Sequence, residues 1–91
     1  MSVKVRIFHG ELQQAINTPG EIRVEGATVG ECLADLIRRY PLAERFMFDS
    51  RGRLLRQFYV YVNQESMFKA DFSRPVTHDD TLLLVVLASG G

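Results

Sequence analysis

Thr81-Leu82-Leu83-Leu84-Val85-Val86-Leu87 is apolar on both parities and runs directly into Ala88-Ser89-Gly90-Gly91. A strand tolerates that pattern when both of its faces are covered, or when its second face meets a partner. Such a segment belongs in the middle of a sheet, and the residues upstream supply its neighbours. Val3, Val5 and Ile7 share one parity while Lys4 and Arg6 share the other, the period of a half-buried strand. After a polar connection containing Asn17, Pro19 and Gly20, Ile22 and Val24 alternate with Glu21, Arg23 and Glu25 in a second strand that returns beside the first and closes at Gly26. Phe58, Val60 and Val62 alternate with Tyr59 and Tyr61, giving an aliphatic and an aromatic face, and Asn63-Gln64-Glu65 ends this strand. Residues 66–77 have no clear period, and a short edge strand is expected near Met67 and Phe68. His78-Asp79-Asp80 turns the chain into the final strand.

One helix is expected between the second and third strands. Thr28 stands three residues before Glu31, so its side chain can cap the first free amides while Glu31 reaches back to the cap amide. Val29, Leu33, Leu36, Ile37 and Tyr40 form one stripe at the helical period, opposite Glu31, Asp35, Arg38 and Arg39, so one face packs on the sheet. Pro41 stops the helix by excluding Tyr40 from the helical region. A further short turn is expected over Leu42 to Phe48, and Asp49-Ser50-Arg51-Gly52 is a turn signal.

The order of elements predicts an α+β fold, a β-grasp (ubiquitin-like) roll with one main helix on one face of a mixed four- to five-stranded sheet. If the last strand lies parallel to the first, the helix supplies the crossover that a parallel pair requires. Residues 1–87 form the β-grasp domain and residues 88–91 a flexible tail.

Ninety-one residues and 10.3 kDa suffice for one domain. With 46% hydrophobic and 24% charged residues the composition is that of an ordinary globular protein. Eleven cations balance eleven acidic residues, which gives no support for a broad claim on nucleic acid or an anionic membrane. A domain of this size buries only roughly 60 to 65% of its unfolded surface, so a pocket for both cofactor and substrate would hollow a thin core. Cys32 is the single cysteine, which excludes an internal disulfide, and no metal site is expected. The first residues alternate charge with apolar side chains unlike a signal peptide, and no run reaches the ~18 apolar residues of a membrane span. A cytoplasmic location is expected.

The tail is either a permissive chain end or the candidate chemical feature, and the second reading has a physical content. Ala88-Ser89-Gly90-Gly91 reaches ~13 Å at ~3.3 Å per residue with no side chain larger than a hydroxymethyl, so it can thread a narrow tunnel. Glycine bends where a Cβ would clash and leaves a terminal carboxylate open to attack. A carboxylate is a poor electrophile until another protein converts it to a mixed anhydride, so a partner that consumes a nucleotide is implied.

The strand and helix order, Thr28-Val29-Gly30-Glu31-Cys32-Leu33, Phe58-Tyr59-Val60-Tyr61-Val62-Asn63, Asp80-Thr81-Leu82-Leu83-Leu84 and Gly90-Gly91 together resemble the ThiS/MoaD family of ubiquitin-like sulfur carriers. The resemblance spans nearly the whole chain, and the diglycine after an apolar strand is its specific part. It implies that an adenylating enzyme of the ubiquitin-activating type uses ATP to activate Gly91, with Gly90 its unhindered neighbour. A sulfur donor then displaces AMP, leaving a thiocarboxylate for a sulfur-acceptor enzyme. On this resemblance the chain binds no cofactor of its own and is not an enzyme. Leu87-Ala88-Ser89 stands where many members carry a proline. Glu44-Arg45-Phe46 and Arg51-Gly52-Arg53-Leu54 in the centre resemble the longer MoaD-like carriers, including those that serve cysteine biosynthesis. The alternatives are a ubiquitin-like modifier conjugated through Gly91, or the small subunit of a molybdopterin synthase.

Phe8, Tyr59 and Tyr61, with Leu83, Val85 and Leu87, form either a docking face for these enzymes or part of the core, and Ala88 and Ser89 extend the docking segment into the tail. Cys32 reads as a small helical filler and not a nucleophile, since no base or second cysteine is near it. His9 and His78 read as ordinary polar residues, Asp79 and Asp80 as turn formers. Arg51, Arg53 and Arg56 read as a solvated loop or partner-contact patch.

Overall fold

The computed structural model describes residues 2–8, 10–17, 21–63, 65–66 and 72–86. Strands β1 (Ser2–Phe8), β2 (Glu21–Glu25), β3 (Phe58–Val62), β4 (Glu65–Ser66) and β5 (Thr81–Val86) form one sheet in the order β2-β1-β5-β3-β4. β5 is central, as its composition requires. It pairs parallel with β1, Lys4 beside Thr81 and Phe8 beside Val85, and antiparallel with β3, Phe58 beside Val86 and Val62 beside Leu82. Helix α2 (Val29–Arg39) lies in the long connection between the parallel strands. Val3, Val5, Ile7, Val24, Phe58, Val60, Val62, Leu82 and Leu84 point to one side of the sheet, where they are buried with Val29, Leu33 and Leu36 of α2.

The connection after β1 is not merely polar. It contains helix α1 (Gly10–Ala15), and Leu12 and the following Ile16 are both buried. Spaced four apart, they share one side of a turn too short to persist alone, so packing and the 2.6 Å bond donated by Gln13 Nε2 to the Ile7 carbonyl hold it. The edge strand β4 begins at Glu65, earlier than the expected Met67 and Phe68, which lie outside the described residues. Asn63 makes the bend before it with φ 52°, a left-handed conformation that asparagine adopts at low cost.

The start of α2 departs from expectation by one residue. Thr28 Oγ1 accepts from the Glu31 amide at 3.1 Å, but Glu31 Oε1 accepts from the Ala27 amide at 2.9 Å, not from that of Thr28. The amides of Val29 and Gly30 donate to the carbonyls of Arg74 and Phe72 at 3.0 and 2.8 Å, so residues 72–76 cross over the helix start and satisfy it. At the other end Tyr40 leaves the helical region, with φ −133° and ψ 79°, before Pro41, and is followed by a 3-10 turn (Pro41–Ala43) and helix α3 (Glu44–Met47). Ala43 and Met47 are fully buried beneath that excursion.

Asp35 belongs to the interior, not to the solvated face the helical period assigns it. It is 9% exposed, and its Oδ2 accepts from the Glu25 amide at 2.8 Å. That amide is at the outer edge of β2, where no strand offers a carbonyl. Arg39 Nε donates to Oδ2 at 2.7 Å, and the Arg38 guanidinium donates to Oδ1 through Nε at 3.1 Å and through Nη2. A carboxylate holding one edge amide and two guanidiniums three and four residues on is satisfied enough to be buried. The Glu25 amide first, and then the two arginines, pull its pKa from 3.8 down to about 2, against the opposing effect of burial. Because the folded value is the lower one, the stabilisation is complete above pH 3.8 and is lost as pH falls through about 2. Asp35→Ala is expected to cost roughly 2–3 kcal/mol in urea unfolding at pH 7. The gap between variant and wild type should narrow steadily toward pH 2.

Candidate functional site

The helices pack on one side, no described helix covers the other side of the sheet, and strand register arranges that side in rows. Phe8 of β1, Val85 of β5 and Tyr59 of β3 stand abreast, and one pair of residues back Arg6, Leu83 and Tyr61 do the same. Lys4 and Thr81 form the next row, with Asn63 bonded to Thr81 in both directions at 2.9 Å. Phe8 is 55% exposed, while Tyr59, Tyr61, Leu83 and Val85 are half-buried and outside the core. The structure thus brings five of the expected docking residues onto one unburied face and rejects the core alternative for them. Leu87, Ala88, Ser89, Gly90 and Gly91, like His9, lie outside the described residues.

The face is graded. Its apolar row, Phe8-Val85-Tyr59, is at the end where β5 finishes, and its charged residues lie toward the other end. Arg6 bridges the two, with its guanidinium carbon 5.7 Å from the centre of the Phe8 ring and Nε 3.9 Å from Glu21 Oε1. Lys4, Arg6, Asn63, Thr81 and Leu83 line a shallow depression of about 410 Å³. The sequence reading missed Lys4, Arg6, Asn63 and Thr81 as part of this face. For Lys4 and Arg6 the signal was present, because the parity that turns Val3, Val5 and Ile7 inward turns Lys4, Arg6 and Phe8 outward together.

The start of β5 is fixed by a polar clasp. Asp80 accepts from Asn63 Nδ2 at 2.7 Å and from the Thr77 amide at 2.8 Å, which together hold its carboxyl below the usual range. Phe58 opposite Val86 fixes the position from which the tail departs.

The remaining candidates keep their ordinary roles. Cys32 is fully buried, and burial first, then the charges of Glu31, Asp35 and Glu25, push its thiol up to about 11. The packing is close enough that a Cβ on Gly26 would sit 2.7 Å from the Cys32 amide nitrogen and 2.9 Å from its Sγ. His78 is exposed, with Nε2 3.3 Å from Asp79 Oδ1. Among the described residues no group of three or more histidine, cysteine or acidic side chains could hold a metal ion, and no helix is long and apolar enough to cross a membrane.

Among solved structures the chain is similar to SAMP1 from Haloferax volcanii, at 26% identity and a TM-score of 0.84 over 100% of both chains. The fold of this chain is the ubiquitin-like β-grasp, and its structural neighbours are of the ThiS/MoaD kind. It is also similar to CysO of Amycolatopsis orientalis, solved in complex with BexX, at 26% identity and a TM-score of 0.80 over 98% of this chain and 99% of that one. CysO of Mycobacterium tuberculosis matches at 25% identity and a TM-score of 0.77, covering 94% of this chain and 99% of that one. No protein-family model matches the sequence, and no curated protein does. These neighbours are small ubiquitin-like carriers and modifiers, and that is the general kind to which this β-grasp chain corresponds.

A thiol this buried is inert in the native state. Native protein at pH 8 is expected to react with a thiol-specific chromogenic disulfide only at the rate of unfolding, and at once in denaturant. Fast native reaction would return Cys32 to the list of functional residues.

Proposed function

We propose that this chain is a sulfur carrier, a protein co-substrate and not an enzyme, whose reactive group is the carboxylate of Gly91. The observation that carries the reading is the pair Gly90-Gly91, four and five residues beyond Val86, the end of a strand locked between two others, in a fold shared with SAMP1 and CysO. A carboxylate oxygen of Gly91 attacks the α-phosphorus of ATP on a partner of the ubiquitin-activating type and expels pyrophosphate. A hydrosulfide equivalent from a sulfur donor then adds to the acyl carbon and AMP leaves, so one C–O bond is replaced by a C–S bond. The thiocarboxylate sulfur attacks the substrate held by an acceptor enzyme, and water then hydrolyses the acyl–sulfur bond, leaving sulfur on the product and the carboxylate on Gly91.

In this mechanism the domain supplies presentation. β5 aims the tail away from a rigid sheet, and Gly90 leaves room for in-line attack at its neighbour. The face of Phe8, Tyr59, Tyr61, Leu83 and Val85, continuing into Leu87, Ala88 and Ser89, docks on the partner and sets the approach. The MoaD-like form of the central segment favours cysteine or molybdopterin biosynthesis as the recipient. ATP is bound by the partner and this chain needs no cofactor, no nucleic acid and no membrane; the setting is the cytoplasm.

A second reading, conjugation of Gly91 to lysines of other proteins, is favoured by one relative, SAMP1, being a small archaeal modifier protein. The acyl adenylate serves both fates, since sulfide or an amine can take the acyl group.

Incubation with the activating enzyme, ATP and a sulfur source, followed by intact-mass analysis without reductant or alkali, is expected to show replacement of one oxygen by sulfur at Gly91. Denaturation-resistant conjugates in cell extract, without the sulfur adduct, would support the modifier reading. Neither product would refute both.

A further inference from the structure

The connection from α2 to β3 concentrates positive charge. From Asp35 to Arg56 there are six arginines and three acidic residues, a net +3, so the rest of this neutral chain carries −3. Arg38 and Arg39 are directed to Asp35, and Arg51, Arg53 and Arg56 lie exposed on the loop between α3 and β3, Arg53 against Asp49. The loop is built to hold them. The Asp49 carboxylate accepts from the amides of Arg51 and Arg53 at 2.8 and 2.9 Å and from Arg53 Nε at 3.3 Å, and Gly52 turns the chain with φ +78°. The Asp49 amide donates to the Arg53 carbonyl and the Leu55 amide to the Met47 carbonyl, both at 2.8 Å.

Between Arg53 and Arg56 lies a shallow depression of about 370 Å³ floored by Leu54 and Leu55, which are half-buried against the core. Its position matters more than its depth. Arg56 precedes Phe58 by two residues, and Phe58 pairs with Val86, the last described residue before the tail. The charged loop therefore stands at the end of the sheet from which the tail departs.

We propose that the Arg51-Arg53-Arg56 loop is a docking shoulder for an acidic segment of the partner that receives the tail, with carboxylates against the guanidiniums and an aliphatic side chain on Leu54 and Leu55. This rests on the reading that Gly91 is delivered to a partner protein. A protein segment fits better than a nucleic acid, because the remainder of the chain is net negative and repels an extended phosphate backbone, while the leucine floor matches an aliphatic side chain. A tail reaching ~13 Å and a Debye length of ~10 Å at 0.1 M salt place the loop within steering distance of the partner's tail entrance. The shoulder sets encounter and affinity, not the chemistry.

The test compares loading of Gly91 by the adenylating enzyme of the same organism for wild type, the triple variant Arg51→Gln, Arg53→Gln, Arg56→Gln, and the triple variant with Lys at the same positions. The Gln variant is expected to lose about tenfold in kcat/KM at low salt with kcat retained, and to show a flattened salt dependence. The Lys variant restores rate and salt dependence, which separates lost charge from a damaged loop. Loading of the Gln variant at the wild-type rate and with the wild-type salt dependence overturns the shoulder while leaving the carrier reading intact. So does binding of a random RNA oligonucleotide that the Gln variant loses while it loads normally, since that assigns the arginines to nucleic acid. Wild type that is never loaded overturns the carrier reading, and the shoulder with it.

Discussion

β5 must lie inside the sheet, because a strand apolar on both parities has no polar face to leave bare to water and needs one face in the core and the other against a partner. Everything else in the molecule is arranged around that requirement. β1 takes one edge in parallel and β3 the other antiparallel, and the parallel partner demands a long crossover, which brings α2 over one face. Leu82 and Leu84 are sealed beneath the helix side, while Leu83 and Val85 emerge half-buried on the other. The same strand therefore serves the core with one parity and the second face with the other.

Most of this architecture was legible because it rests on period. The alternation in β1, β2 and β3 and the stripe of α2 each have one solution, and the central position of β5 followed from its composition, whereas its parallel pairing with β1 entered only as a condition that the crossover helix could meet. Elements held by tertiary contacts were not legible. α1 is six residues anchored by Leu12, with Ile16 just beyond, too few positions for a helical period to stand out in a polar stretch. Asp35 falls on the polar side of the helical period, and the bond it accepts from the Glu25 amide at the β2 edge, with those from Arg38 and Arg39, holds it inward. Glu31 takes the Ala27 amide where the capping motif specifies that of Thr28. Such choices depend on what a distant segment offers.

The open face shows the same division. Phe8, Tyr59, Tyr61, Leu83 and Val85 were recognisable from parity as a set, but whether they were core or surface depended on which side the helices took. Asn63 and Thr81 join the face through register alone, which no local pattern carries. Grading along the strands gives the face a direction, apolar where the tail departs and cationic farther back. A small domain with a thin core thus carries a graded face beside the last residues of β5, which suits the proposed delivery of Gly91 to a partner protein.

The central claim is that function resides in the carboxylate of Gly91 and not in the folded domain. Adding a single alanine after Gly91 moves that carboxylate by one residue and leaves every strand pairing untouched. In a loading assay with the activating enzyme, ATP and a sulfur source, the account predicts no thiocarboxylate on the extended protein, with thermal unfolding unchanged. Loading of the extended protein at the wild-type rate would contradict it.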